Sequence, residues 1–352
     1  MACDGANSPI REMMGLGFDG RVFEDNFLIA DIRAKADFPI ERRFWFDPAF
    51  NPGQTALMHR QPDDVWRLDF QLGWDIDRKA ELNDDKVRAR VRGLIGEGID
   101  FNLVWTSIYT FRCCTMDEYV HGPVIFAGDS AHQVSPFGAR GCNGGIQDAD
   151  NLAWKLDLVC KGAAPKSLID SYHLERKEAG LENIKNSSRS ADFLTPRSPA
   201  HALFRDAVLD LVEQQPFARP MVNSGRLSSP CFYAQGRLFG EDALDGPLRS
   251  APGSPAPDCP VGDDFLLGIL KSNAFMLLSI GLELPHNVDI SGAILPAIVL
   301  PAKDDLLRKR YLGDNPQAIY LIRPDQHVAA RWAEFDPQDV ARALKQSTGR
   351  VS

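Results

Sequence analysis

Residues 124–127, Val-Ile-Phe-Ala, run directly into Gly128-Asp129, and glycines at 138, 141, 144 and 145 then lead into a helical pattern. A short unbroken apolar run is what a strand covered on both faces requires, so the segment predicts a buried parallel strand. The loop after such a strand lies where α/β sheets hold their ligands. Asp129 stands at that end and can accept hydrogen bonds from sugar-like hydroxyls. Gly138, Gly141, Gly144 and Gly145 let backbone amides approach a flat or anionic ligand without side-chain obstruction. Ile146, Ala149, Leu152, Ala153, Leu156 and Val159 recur at helical spacing, with Asp148, Asp150, Lys155 and Asp157 off that stripe. The pattern predicts a helix beginning near Gly144, whose free N–H groups and dipole face whatever the loop holds.

The bulk properties narrow the class. With 352 residues and 44% hydrophobic content the chain can bury two cores. A net charge of −9 disfavours a nucleic-acid partner. No apolar run reaches the roughly 18 residues a membrane span needs, so no membrane partner is expected. Seven cysteines are scattered without a C-x-x-C pair, which reads as free thiols in a reducing cytoplasm.

Residues 27–111 read as strand-rich. Trp66, Leu68, Phe70 and Leu72 alternate with Arg67, Asp69 and Gln71, the pattern of a half-buried antiparallel strand. Residues 27–34, 43–46 and 104–111 are further strands, and Val87, Val91, Leu94 and Ile95 mark one face of an intervening helix. Helices are expected over 167–186 and 200–214. Residues 248–260 hold four prolines, too many for regular structure, and mark the approach to a second domain. Residues 318–322 and 327–332 read as strands around an Arg323-Pro-Asp325 turn, with Asp336 capping a helix that starts at Pro337.

The string Gly-Asp129-x-Ala-His132, three residues, Pro136, x, Gly138, two residues, Gly141-x-Asn143, then Asn151-Leu-x-Trp-Lys-Leu, resembles the second flavin motif of class A flavoprotein aromatic monooxygenases. Cys3-Asp4-Gly5-Ala-Asn-Ser-Pro-Ile-Arg11 resembles the Asp-Gly motif of the same family, which lies near the FAD pyrophosphate. The ending, Tyr320 to Trp332, is similar to that of the phenol hydroxylase and 3-(3-hydroxyphenyl)propionate hydroxylase branch. The resemblance implies an α/β fold with an α+β substrate sheet. It has a partial, Rossmann-like FAD-binding domain, an antiparallel substrate-domain sheet and a C-terminal thioredoxin-like domain. The divisions expected are 1–235 for the flavin and substrate region, with the sheet at 21–115 and the second motif and its helices at 116–195, and 236–352 for the thioredoxin-like part.

The same resemblance implies FAD as cofactor, NAD(P)H as co-substrate, and hydroxylation of a phenolic ring with O2 through a flavin C4a-hydroperoxide. A homodimer is one compatible assembly. Asp4, Gly5, Arg11, Gly128, Asp129, Pro136, Gly138, Arg140, Gly141, Cys142 and Asn143 would contact the cofactor. Asp129 would hold the ribityl chain, Pro136 would stand near the substrate, and residues 138–143 would follow the ring edge. Arg140 reads either as a charge acting on the flavin or as half of a salt bridge. Tyr109 and Arg112 read either as pocket lining or as ordinary sheet core and solvated charge.

Some arrangements are set aside. Asp129, Ser130 and His132 are too crowded along one turn to align as a hydrolytic triad. His132 is expected to hold the loop by hydrogen bonds, and no cysteine–histidine set has metal-site spacing. The halogenase segment Trp-x-Trp-x-Ile-Pro does not occur. A thioredoxin-like domain without C-x-x-C lacks the second thiol of disulfide exchange. The one G-x-G-x-x-G spacing, Gly15-Leu-Gly17-Phe-Asp-Gly20, leads into the strand-rich region and not into a helix, so the phosphate cradle of a dinucleotide is not expected in this sequence. Two expectations follow: a hydroxylase whose N-terminal segment is missing here, or a non-catalytic chain that pairs with another and holds no FAD alone.

Overall fold

The computed structural model describes residues 1–350 apart from 36–37, 137, 197, 223–228, 234–235 and 272, and of residues 21–25 only the backbone. The expected boundary at 235/236 therefore falls beside residues outside the description. Two six-stranded sheets organise the chain. After the short helix α1 (Pro9–Met13), the first sheet is built from β1 (Asp19–Ala34), β2 (Arg43–Phe46), β3 (Thr55–Arg60), β4 (Val65–Gly73) and β5 (Phe101–Thr115). Its spatial order is β2-β3-β4-β1-β5, with every pair antiparallel.

Strand alternation gives this sheet two different faces. Leu28, Ala30 and Ile32 stand opposite Phe70, Leu68 and Trp66, and all six are buried with Met58 against Val87, Val91 and Ile95. Those three belong to α3 (Asp84–Ile95), which follows the one-turn α2 (Arg78–Glu81). The Asn83 side chain accepts from the N–H groups of Asp85 and Lys86, which fixes where α3 starts. Each large apolar side chain buried here contributes about 1.5–3 kcal/mol relative to exposure. The opposite face carries Phe27, Ile29, Leu57, His59, Arg67 and Asp69, and at Phe27 it shares a buried cluster with Ala191 of a later helix.

Beyond β5 the chain makes a small hairpin, β6 (Val120–His121) with β7 (Val124–Ile125), and β8 (His132–Gln133) joins the edge of the first sheet. The apolar run 124–127 is shorter as a strand than expected. Its parallel pairing is a single bridge, Ala2 with Phe126, closed by Ala2 N–H to Ile125 O at 2.7 Å and Ala127 N–H to Ala2 O at 3.1 Å. Residues 125–127 are nonetheless buried.

Two long helices follow, α4 (Arg140–Cys160) and α5 (Asp170–Leu194). The apolar stripe expected on α4 is corrected by the structure. Ile146, Ala149 and Ala153 are exposed, whereas Asp148, Asn151 and Lys155 are buried beside Leu152 and Trp154. The buried face is paired charge, supplied in part by Glu175 and Arg176 of α5.

Helices α6 (Pro199–Val212) and α7 (Arg219–Val222) lead to the second unit. The segment 248–260 is irregular, as expected, but it is no loose tether: Ala251, Ser254, Ala256 and Cys259 are buried, and Gly253 and Ala256 donate to Val328 O and Gln326 O. The minor strands β9 (Asp242–Ala243), β10 (Pro260–Val261) and β11 (Asp264–Phe265) and helix α8 (Leu266–Ile269) surround the main strands β12 (Met276–Ile280), β13 (Asn287–Ile290), β14 (Ala293–Leu300), β15 (Ala318–Ile322) and β16 (Val328–Trp332). The one-turn α9 (Asp305–Leu307) precedes β15, and α10 (Pro337–Ser347) closes the chain with Asp336 accepting from Gln338 N–H.

The order β13-β14-β12-β15-β16-β9, with β12 parallel to β14 and antiparallel to β15, is a thioredoxin-like arrangement with one departure. The connection from β12 to β14 contains strand β13 where a crossover helix would stand. No cysteine follows Cys259, so this unit has neither the helix nor the thiols of a redox thioredoxin.

Candidate functional site

A cavity of about 540 Å³ opens between the face of the first sheet that looks away from α3 and the segment 129–143. The sheet supplies Phe27, Ile29, Leu57, His59, Arg67, Asp69, Tyr109 and Phe111. Arg42 and Phe44 close one side, and the opposite wall is Asp129, Val134, Ser135, Pro136 and residues 139–143. Seven of the residues named from the sequence therefore meet at one place: Tyr109, Asp129, Pro136, Arg140, Gly141, Cys142 and Asn143. Arg112 does not, because β5 alternation turns it away from the side that Tyr109 and Phe111 share, and it is exposed there.

Helix α4 starts at Arg140, four residues earlier than Gly144, so Gly141, Cys142 and Asn143 form its first turn and not a loop. The residue before it, Ala139, sits in the left-handed region at φ 52° and provides no side-chain cap. Asn143 Nδ2 instead donates back to Ala139 O at 2.6 Å. First-turn N–H groups without a side-chain acceptor, on a wall of the cavity, make a site for negative charge. Arg140 is buried, lines the same wall and donates from Nη1 to Asn183 Oδ1 at 3.1 Å. Asp129 is exposed to the cavity; burial and then the Asp129 carboxylate push the Tyr109 phenol above its ordinary value.

The N-terminal motif braces this wall from behind. Arg11 donates from Nη1 to Ser130 O and from Nη2 to Ala6 O, each at 2.9 Å, while its guanidinium stacks on Phe18 at 3.8 Å. Asp4 Oδ2 accepts the Ile10 N–H at 3.0 Å, and Gly5 takes φ +82° to turn the chain into α1. None of Asp4, Gly5, Arg11, Gly128 and Gly138 lines the cavity itself.

Asp148 fixes the turn that presents Asp129. Its Oδ2 accepts the Gly128 N–H at 2.8 Å and shares a 2.7 Å hydrogen bond with His132 Nε2; its Oδ1 accepts from Arg176 Nε at 2.6 Å. Burial alone would raise this carboxyl, but His132 and Arg176 outweigh it and hold it at about 2. Gly128 can take φ +65° in that turn, where a side chain would be strained. His132 thus holds the loop by hydrogen bonds, and no group of three or more potential metal ligands occurs among the described residues.

A second buried network ties the two units together. Glu175 on α5 accepts from Arg323 Nη1 and Nη2 at 2.8 and 2.9 Å and from Lys155 Nζ at 2.8 Å. Arg323 also pairs with Asp325, and Asn151 donates to Glu175 Oε2 at 2.7 Å. Residues 151, 155, 175, 323 and 325 are each nearly inaccessible to solvent.

Asp69, which alternation places on the polar face of a half-buried strand, belongs to the cavity, and so does His59, which nothing in the sequence pattern singled out. Asp69 and His59 line it, and Asp69 Oδ1 and His59 Nδ1 are buried without a hydrogen-bond partner. Burial raises the Asp69 carboxyl to about 6, with Arg67 and Arg42 pulling the other way. Burial, then Arg42 and Arg67, lowers His59. The sequence held no usable signal for this, because an Asp between Leu68 and Phe70 is also what alternation places on a solvated strand face.

Comparison with known proteins adds the following. A family model described as FAD binding domain matches residues 1–187. A probable NADH-specific resorcinol 4-hydroxylase of Rhodococcus jostii is 34% identical over 207 residues, covering 59% of this chain and 38% of that protein. A 3-(3-hydroxy-phenyl)propionate/3-hydroxycinnamic acid hydroxylase of Comamonas testosteroni is 26% identical over 67% of this chain and 39% of its own. The chain thus spans about two fifths of the length of these relatives. The flavin-dependent monooxygenase PieE, solved with FAD and substrate, shares the fold at a TM-score of 0.73 and 21% identity, over 98% of this chain and 70% of PieE.

Proposed function

The chain belongs to the FAD-binding domain family, and from that premise we propose that it serves the FAD-dependent hydroxylation of a phenolic ring, with NAD(P)H as reductant and O2 as oxidant. The observation that carries this reading is the cavity itself, which sets an aromatic sheet face against the uncapped N-terminus of α4. FAD, when bound, supplies the redox chemistry, accepting hydride and using O2 to deliver one oxygen atom. The protein's part is to bind, orient and shield.

Asp129 would accept from ribityl hydroxyls at the cavity mouth. The first turn of α4, with Gly138, Arg140, Gly141, Cys142 and Asn143, would follow the flavin ring edge and favour negative charge there, an effect worth up to about 2 kcal/mol when partly buried. Pro136 would stand between flavin and substrate. Asp4, Gly5 and Arg11 would hold the strand-end turn in place near the pyrophosphate. Phe27, Phe44, Tyr109 and Phe111 would exclude water from the substrate ring. Free thiols at all seven cysteines suit a cytoplasmic setting.

The test is a titration of FAD followed by flavin fluorescence, with Asp129→Ala beside the unaltered chain. Loss of a charge-assisted hydrogen bond, about 1.5–3 kcal/mol, should weaken FAD by about 10- to 150-fold. Equal FAD affinity in both proteins would sink the assignment of Asp129. A second reading draws on the lack of a G-x-G-x-x-G between a strand and a helix, since Gly15-Leu-Gly17-Phe-Asp-Gly20 runs from α1 into β1. In it the chain is a non-catalytic partner of another flavoprotein chain, and the same titration then shows no saturable binding.

A further inference from the structure

Resting on the reading of the cavity as the seat of a hydroxylated ring, we propose that Asp69 is the group that accepts the substrate's hydroxyl proton, which makes an aromatic with a free ring hydroxyl the ligand selected here. Asp69 stands in the middle of β4, opposite Ile29 on β1 and Leu57 on β3, so apolar side chains flank it on both sides. Its Oδ1 is buried and takes no hydrogen bond. Arg67, two positions away on the same face, does not neutralise it, because Nε and Nη2 of Arg67 are both committed to Asp31 at 2.8 and 2.7 Å. A buried oxygen without a donor is costly to keep, and a ligand O–H is the donor that this cavity can admit.

The surroundings decide the charge state. Arg67 on its own strand, Asp31 on β1, Arg42 ahead of β2 and His59 on β3 are the charged and titratable groups packed around Asp69. Tyr109 lines the same sheet wall, and Asp129 and Arg140 stand across the cavity. Burial raises the carboxyl to about 6 against the pull of both arginines, so it is ionised near neutrality and still basic enough to take a proton. In the step, the O–H bond of the ring hydroxyl breaks and an O–H bond forms on Asp69. The electron pair left on the phenolic oxygen enriches the ring carbons ortho and para to it, those that an electrophilic oxygen attacks. His59, whose Nδ1 is also without a partner, completes the polar end of the pocket.

Ligand-observed NMR on the whole chain tests this without flavin, using resorcinol and 1,3-difluorobenzene, a ring of similar size with no O–H. At about pH 8, above the ordinary carboxylate range, the unaltered chain should prefer resorcinol by roughly tenfold or more, the worth of a hydrogen bond to a charged acceptor. The preference should fall as pH drops through about 6, where Asp69 takes up its own proton. Asp69→Asn should still bind both rings, with a small preference that no longer varies with pH. A pH-independent preference in the unaltered chain, the same pH profile in D69N, or no binding of either ring would each overturn the assignment. None of these touches the FAD titration, so the flavin reading and the Asp69 reading fail separately.

Discussion

Asp148 never reaches the cavity, yet three donors from three segments converge on it: the Gly128 N–H, His132 and Arg176. Replacement by Asn keeps the shape and removes the charge, leaving the buried Arg176 guanidinium without its carboxylate. Breaking a buried pair in this way costs about 3–5 kcal/mol, so Asp148→Asn should move the urea midpoint far down. It should also weaken FAD, since the turn presenting Asp129 hangs on the same oxygen that holds Gly128. An unchanged midpoint would remove Asp148 from this role. The sequence reading set Asp148 and Lys155 aside as outward-facing charges, because hydrophobic periodicity counts only apolar residues. Asp148, Asn151, Leu152 and Lys155 in fact recur at helical spacing themselves, and Glu175-Arg176 supplies the complementary charges on the next helix. That pairing was present in the letters but invisible to a scale that scores every charge as exposed.

At the scale of elements, α4, α5 and the turn between β15 and β16 are locked by Glu175, Lys155, Arg323 and Asp325. Trp154 and Leu168 extend the lock into the core that holds Leu277, Ile319 and Val340. Glu175→Gln should destabilise by about 3–5 kcal/mol. Because the lesion is at the seam between the units, limited proteolysis should cut the irregular segment 248–260 faster than in the unaltered chain. Equal cleavage rates would show that packing at the seam suffices without the charges. Element boundaries were largely legible: the strand expected at 43–46 matches β2, the 318–322 strand matches β15, and Asp336 caps α10 where Pro337 begins it. What alternation on β4 could not reveal is what lies beyond its polar face. Arg67 and Asp69 were consistent with water, and only the segment 129–143, far away in sequence, makes that face a wall.

For the whole molecule, acid stability follows from the same buried carboxylates. Asp148 and Glu175 are each held at about 2 in the fold, by His132 and Arg176 and by Arg323 and Lys155 respectively, against the upward push of burial. Their unfolded values lie near 4. Folded values below unfolded ones give stability that is complete above about pH 4 and is lost as pH falls towards about 2. Circular dichroism should therefore show unfolding in that window, with little change between about pH 5 and about pH 8 from these groups. A transition already complete at about pH 5 would contradict both assignments. The first sheet has a longer-range consequence. Its strands present alternate residues to two unrelated tasks, a sealed core against α3 on one side and the wall of the cavity on the other. Substitution of His59, Asp69 or Tyr109 should therefore reshape the cavity while Leu28, Leu68 and Phe70 keep the scaffold intact. A single strand thus carries two nearly independent duties, interleaved one residue at a time.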